Sequence, residues 1–132
     1  MLVVNINNLR SEPPPNLVYI GRGNSKWPKS PLGNPFSHLL SSSAAHIVSS
    51  REESIECFRR ALIGVFIKKS LIVVPISGVL TEIVNPLFRD VVLKELSQLH
   101  EDCLLGCHCK PLPCHGDVIV RGWSWGKDNK YF

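Results

Sequence analysis

Apolar positions along this chain fall into two kinds of pattern. Leu2-Val3-Val4 and Leu17-Val18-Tyr19-Ile20 are compact runs, the second bounded by proline and glycine, and each predicts a strand. From Ser50 the period changes. Ile55, Phe58, Leu62 and Val65 recur at spacings of three and four, which predicts a helix with one apolar face. Ser50 and Glu53 have capping-box spacing at its start, and Lys68-Lys69 suit its C-terminus. Leu71 to Leu80, interrupted by Pro75 and Gly78, predicts a buried extended segment. Asn85-Pro86 reads as an N-cap followed by proline at the first helical position, opening a helix through Leu87, Val91, Leu96 and Leu99 to about His100. A last strand is expected over Cys103 to Cys109.

The connections are as informative. Arg10-Ser11-Glu12-Pro13-Pro14-Pro15 is a linker or extended edge, because three prolines remove three backbone donors. Gly21 to Phe36 is a long loop braced by prolines and glycines, with Trp27 and Phe36 to pack it down. Ser41-Ser42-Ser43-Ala44-Ala45 predicts a mobile serine-rich loop over 41–50, and residues 121–132 an aromatic, glycine-rich tail. The expected fold is α/β: a small single domain over 1–132, with a mostly parallel sheet flanked by helices. The strand at Leu17 and the strand ending near Cys109 should lie side by side, with a ligand crevice at their C-terminal ends.

Composition narrows the classes. A length of 132 residues fits one core, and no apolar run approaches the roughly 18 residues of a membrane span. The first residues show no export signal, and five cysteines form no regular framework, so reduced thiols and a cytoplasmic location are expected. A net charge of +4, scattered rather than striped, permits an anionic partner and predicts weak nucleic-acid binding at most. It leaves the oligomeric state open.

The chemistry concentrates in Gly106-Cys107-His108-Cys109-Lys110-Pro111-Leu112-Pro113-Cys114-His115-Gly116-Asp117. Three readings stand. Cys107, Cys109, Cys114 and His115 offer the donors of tetrahedral zinc, although adjacent Cys114 and His115 are awkward on one ion. Alternatively Cys114 is an activated thiol, and His115 with Asp117 an acid/base pair. The third is plain core filling, preferred for Cys57 and Cys103. Gly21-Arg22-Gly23 after a strand offers backbone donors and a guanidinium to a phosphate, or is an ordinary turn. Asn34, in Ser30-Pro31-Leu32-Gly33-Asn34-Pro35-Phe36, either reads a ligand or closes a structural turn. Arg59 is either a solvated helix charge or a residue that reaches the site.

Taken in order, Val18-Tyr19-Ile20-Gly21-Arg22-Gly23, Ser30-Pro31-Leu32-Gly33-Asn34-Pro35-Phe36, Phe58-Arg59-x-x-Leu62 and Leu105-Gly106-Cys107-x-Cys109-x-Pro111-x-x-Cys114-His115-Gly116-Asp117 form a pattern. It resembles the bacterial and phage family catalogued as domain of unknown function 4326. The resemblance spans about Leu17 to Val120. It implies that both loops and the cysteine corner belong to one constellation, and that the position of Arg59 matters. It also implies a helix after the His-Gly-Asp corner, against which the short Val118-Ile119-Val120-Arg121-Gly122 run counts.

The expected function is binding, with or without processing, of a nucleotide-like anionic small molecule. Gly21, Arg22 and Gly23 would hold phosphate, Asn34 and Arg59 would help bind, and Cys114, His115 and Asp117 would supply chemistry. Two alternatives are a zinc-stabilised nucleic-acid or protein interaction module, and a phage-type regulator that sequesters a ligand without turnover.

Overall fold

A computed structural model describes residues 1–9, 12–40 and 44–132. The Arg10-Ser11 part of the proline linker and the serine run Ser41-Ser42-Ser43 lie outside the described residues. In chain order the elements are β1 (Leu2–Asn5), a 3-10 turn (Ile6–Asn8), β2 (Leu17–Tyr19), β3 (Phe36–Ser37), β4 (His46–Ile47), α1 (Arg51–Phe66), β5 (Leu71–Ile76), β6 (Val79–Val84), α2 (Asp90–Ser97), β7 (Leu104–Cys107) and α3 (His115–Asp128). The architecture is mixed α/β, and a parallel sheet is present.

That sheet has the order β1-β7-β2, with every pairing parallel. The expected neighbours, the strand at Leu17 and the strand at Cys107, pair with Val18 opposite Leu105. Leu105 is fully buried, as suits a central strand. A second, two-stranded parallel pair joins β3 to β4 through Phe36 opposite His46. Of the predicted face of α1, Phe58, Leu62 and Val65 are buried and Ile55 is half-buried, with Ala61 buried beside them. The N-terminus of α3 lies close on the main sheet because residue 116 is glycine. A Cβ there would meet Val3 Cγ1 at 2.8 Å and Ile20 Cδ1 at 2.9 Å.

Four sequence expectations change. Leu71 to Leu80 is not a single buried segment. It is most of an antiparallel hairpin, β5 with β6, turned by Ser77 and Gly78, both at positive φ. Ile72 and Val74 are buried, whereas Leu71, Val73, Leu80 and Val84 are exposed on the outer face. Glu53 is not the reciprocal partner of Ser50. Ser50 Oγ does accept from Glu53 N at 3.1 Å, but the Glu53 carboxylate accepts from the amides of Ser49, Ser77 and Gly78, tying the hairpin turn to α1.

Asn85 caps no helix. Its amide donates to Ala61 O at 2.9 Å and its oxygen accepts from Leu87 N, so α2 starts only at Asp90 and is short. Finally, residues 121–128 are not an irregular tail but the continuation of α3, which settles the His-Gly-Asp corner as a helix start. A capping box forms there: Cys114 is the N-cap, and the Asp117 carboxylate accepts from Cys114 N at 3.3 Å. Among the described residues no helix is long and apolar enough to cross a membrane.

Candidate functional site

The C-terminal ends of β2 and β7 deliver Tyr19 and Cys107 to the same edge of the sheet, and a crevice of about 540 Å³ opens there. Its lining brings together three sequence-distant stretches. The first is Gly21-Arg22-Gly23, the second runs from Asn34 to Leu39, and the third is the cysteine corner. The N-terminal turn of α1 adds Arg51, Ser54 and Ile55.

The loops are held by hydrogen bonds that their own residues supply. Arg22 Nη1 donates to Asn34 O at 3.0 Å, joining the two loops. Asn34 is buried. Its Nδ2 donates to Ser54 Oγ at 2.9 Å, and its Oδ1 accepts from Phe36 N at 2.9 Å. Tyr19 carries Gly23 N on its hydroxyl at 3.0 Å, stacks on Trp27 at 5.3 Å and hydrogen-bonds His108 at 3.2 Å. On the far side, the Asn5 amide donates to Lys110 O at 2.7 Å, anchoring the cysteine corner to the end of β1.

His115 is a structural clasp. Its Nε2 N–H donates to Ile20 O at 2.9 Å and to Leu32 O at 3.1 Å, locking the end of β2 to the proline-braced loop. The ring meets Phe58 edge-on at 4.9 Å. Burial pushes its pKa down to about 4, so the ring is neutral at pH 7, its Nδ1 turned to Cys114 Sγ at 3.7 Å. The expected His115–Asp117 acid/base pair does not form. The Asp117 carboxylate is taken by the helix cap and by Lys110 Nζ at 2.7 Å, which raises the lysine pKa.

The three thiols of the corner share the lining of the crevice. Cys114 Sγ accepts from Gly116 N at 3.3 Å, as the cap of α3, and its own hydrogen bonds to the sulfurs of Cys107 and Cys109, with burial, push its pKa up. It has one proton to share among those two sulfurs and the His115 Nδ1 lone pair at 3.7 Å. Cys107 is buried, whereas Cys109 is partly open and also hydrogen-bonds Arg51, with Arg22 nearby. Hydrogen bonding to Cys114 lowers the pKa of both Cys107 and Cys109 to about 6, against the cost of burial, and of the two only Cys109 is partly open. At Cys109 the two guanidiniums add to the lowering. Arg22 is itself half-buried, and desolvation lowers its pKa.

The family model described as domain of unknown function (DUF4326) matches residues 4–125. The chain belongs to this family. No curated protein and no solved structure matches it. In this DUF4326 chain the crevice is lined by Gly21, Arg22, Gly23, Asn34, Cys107, Cys109, Cys114 and His115. Asp117 lies behind it. Arg59 is not in it at all: the side chain is exposed and its Nε donates to Glu56 at 2.7 Å. Arg51 takes that place, at the first turn of the same helix.

Arg51, Ser54, Tyr19 and His108 were missed by sequence reasoning. For Arg51 a signal existed, since the residue after an N-cap sits at the positive end of a helix and has a reason to seek an anion. Among the described residues, no group of three or more His, Cys, Asp or Glu is placed to hold a metal ion. His115 contributes nothing to such a set through Nε2, which is spent on two carbonyls.

Proposed function

We propose that the crevice binds a small anionic molecule of nucleotide-like character. One observation carries this reading. Arg22 and Arg51 both line the crevice, and no Asp or Glu lines it with them. Among the described residues neither guanidinium pairs with a carboxylate. Two guanidiniums that face a partly desolvated space without a carboxylate suit an anion of the ligand. The backbone of Gly21-Arg22-Gly23 adds close approach for phosphate oxygens. Leu39, Ile55 and Leu112 supply apolar wall for the rest of the molecule. Asn34 supports the site by fixing the loop, since both ends of its amide are engaged within the protein. The zinc-stabilised module has no comparable support in the arrangement of the donors. Sequestration without turnover needs the same binding event and no further residue.

A panel of nucleoside mono-, di- and triphosphates, with inorganic phosphate as the minimal probe, should contain a ligand that raises the melting temperature. At about 100 times Kd, mass action contributes about 2.7 kcal/mol. Arg51→Gln, which removes the charge at a helix end without opening the core, should weaken that ligand about ten-fold. Thermal shift and calorimetry read both. A ligand bound equally well by the Arg22→Gln/Arg51→Gln double variant would sink the assignment.

A further inference from the structure

Anion binding leaves one feature of the crevice without a task. Cys109 is the only one of the five cysteines that is not buried, and it lines the crevice together with Arg22 and Arg51. Its neighbours are arranged around it. Cys114 is fixed by its role as the cap of α3, with its sulfur turned to Cys109 and to the amide of Gly116. The Lys110 carbonyl is tied to Asn5, and Leu112 N donates to Cys109 O at 2.9 Å, so the backbone that carries the Cys109 thiol is held in a closed turn. A thiol needed only to fill the core gains nothing from an open position beside two arginines.

We propose that Cys109 is a nucleophile whose sulfur bonds an electrophilic carbon on the anion-bearing ligand that Arg22 and Arg51 hold. The proposal rests on the anion reading above and adds a covalent step to it. The Cys109 thiolate attacks a carbon doubly or triply bonded to oxygen or nitrogen. The S–C bond forms, one π pair moves onto the heteroatom, and that atom takes the proton of the Cys114 thiol. Cys114 holds its proton while a charged sulfur accepts from it. Once Cys109 is bonded to carbon, one of the two sulfurs that hold the Cys114 proton no longer carries charge, and the proton passes to the developing anion on the heteroatom. No oxidant or further reactant is needed. The guanidiniums place the anion beside the sulfur, and this placement matters more than thiolate content, because intrinsic nucleophilicity falls with thiol pKa.

Two alkylating probes of the same size separate these contributions: iodoacetate, an anion with an electrophilic carbon, and neutral iodoacetamide. Each is applied to the full reduced chain at pH 7, and the modified cysteines are located by peptide mass mapping. In either case sulfur displaces iodide. The expected result is that Cys109 is modified first. Its iodoacetate-to-iodoacetamide rate ratio should be about ten-fold above that of the same chain unfolded in urea. Inorganic phosphate should slow iodoacetate selectively, and Arg51→Gln should lower the ratio several-fold. Cys109→Ser should abolish the fast labelling and keep any phosphate-induced rise in melting temperature, which shows that the variant is folded. First labelling at Cys107 or Cys114 would overturn the proposal, as would a ratio at Cys109 equal to that of the unfolded chain. Stabilisation by phosphate without selective labelling overturns the nucleophile while leaving the anion site intact. Absence of stabilisation by every anion tested overturns the site itself.

Discussion

His115→Leu should cost the fold about 2–5 kcal/mol. The substitution leaves two buried carbonyls, Ile20 O and Leu32 O, without the donor they share, and each unpaired group costs about 1–3 kcal/mol. Leucine fills much of the ring volume, so the loss reads hydrogen bonding more than cavity. Urea unfolding at pH 7.5 measures it. The same residue makes stability depend on pH. The folded-state pKa of about 4 lies below the ordinary 6.5, so between those values the unfolded chain binds the proton and the folded chain does not. The contribution is fully present above pH 6.5 and is lost as pH falls toward 4. At pH 5 the loss should be about 2 kcal/mol, at 1.36 kcal/mol per unit. Glu53 also has a lowered pKa, so the wild-type curve alone does not isolate the effect. The difference between wild type and His115→Gln, which keeps a donor and does not titrate, does. Wild-type stability in His115→Leu would overturn the structural clasp.

Phe58→Ala should cost about 3–5 kcal/mol, the range for removing a fully buried phenylalanine ring. Phe58 is fully buried on the inner face of α1, and its ring supports the His115 imidazole at 74°. Its neighbour in sequence provides the control. Arg59→Ala removes an exposed side chain paired with Glu56 across one helical turn, and should change stability by less than about 0.5 kcal/mol. Because Phe58 and His115 touch, their double variant should fall short of additivity by about 0.5–1.5 kcal/mol. A loss below about 1 kcal/mol for Phe58→Ala would mean that α1 repacks freely over the site.

This pair of neighbours also shows what the sequence made legible. The 3.6-residue period placed Phe58 in the core, because apolar residues repeating at helical spacing mark the face that packs inward. The N-cap marks Arg51 as an arginine at the positive end of a helix, but local spacing does not say which distant loop it meets. Arg51 lines the crevice because α1 begins there, and that depends on where the Gly21-Arg22-Gly23 and cysteine loops dock. The convergence of those loops was readable, since each follows a strand that runs the same way in one sheet. The division of labour inside the corner was not. His115 and Asp117 carry the chemistry of an acid/base pair, but the helix that starts at His115 points them to different partners: the imidazole to the sheet and the carboxylate to the cap. Asn85 was misassigned for a similar reason. Its amide satisfies the Ala61 carbonyl, 24 residues earlier.

The order of the main sheet has a consequence for how the protein is made. β7, the central strand, is built from Leu104 to Cys107, and both of its partners, β1 and β2, come from the first nineteen residues. During synthesis those two edge strands have nothing to pair with until almost everything between them and β7 has been translated. Contacts so far apart in sequence also slow folding, because a long loop must close before they are made. The crevice therefore has no partial precursor on the ribosome. The loop after β2 waits, exposed and without its clasp, for the last quarter of these residues to arrive.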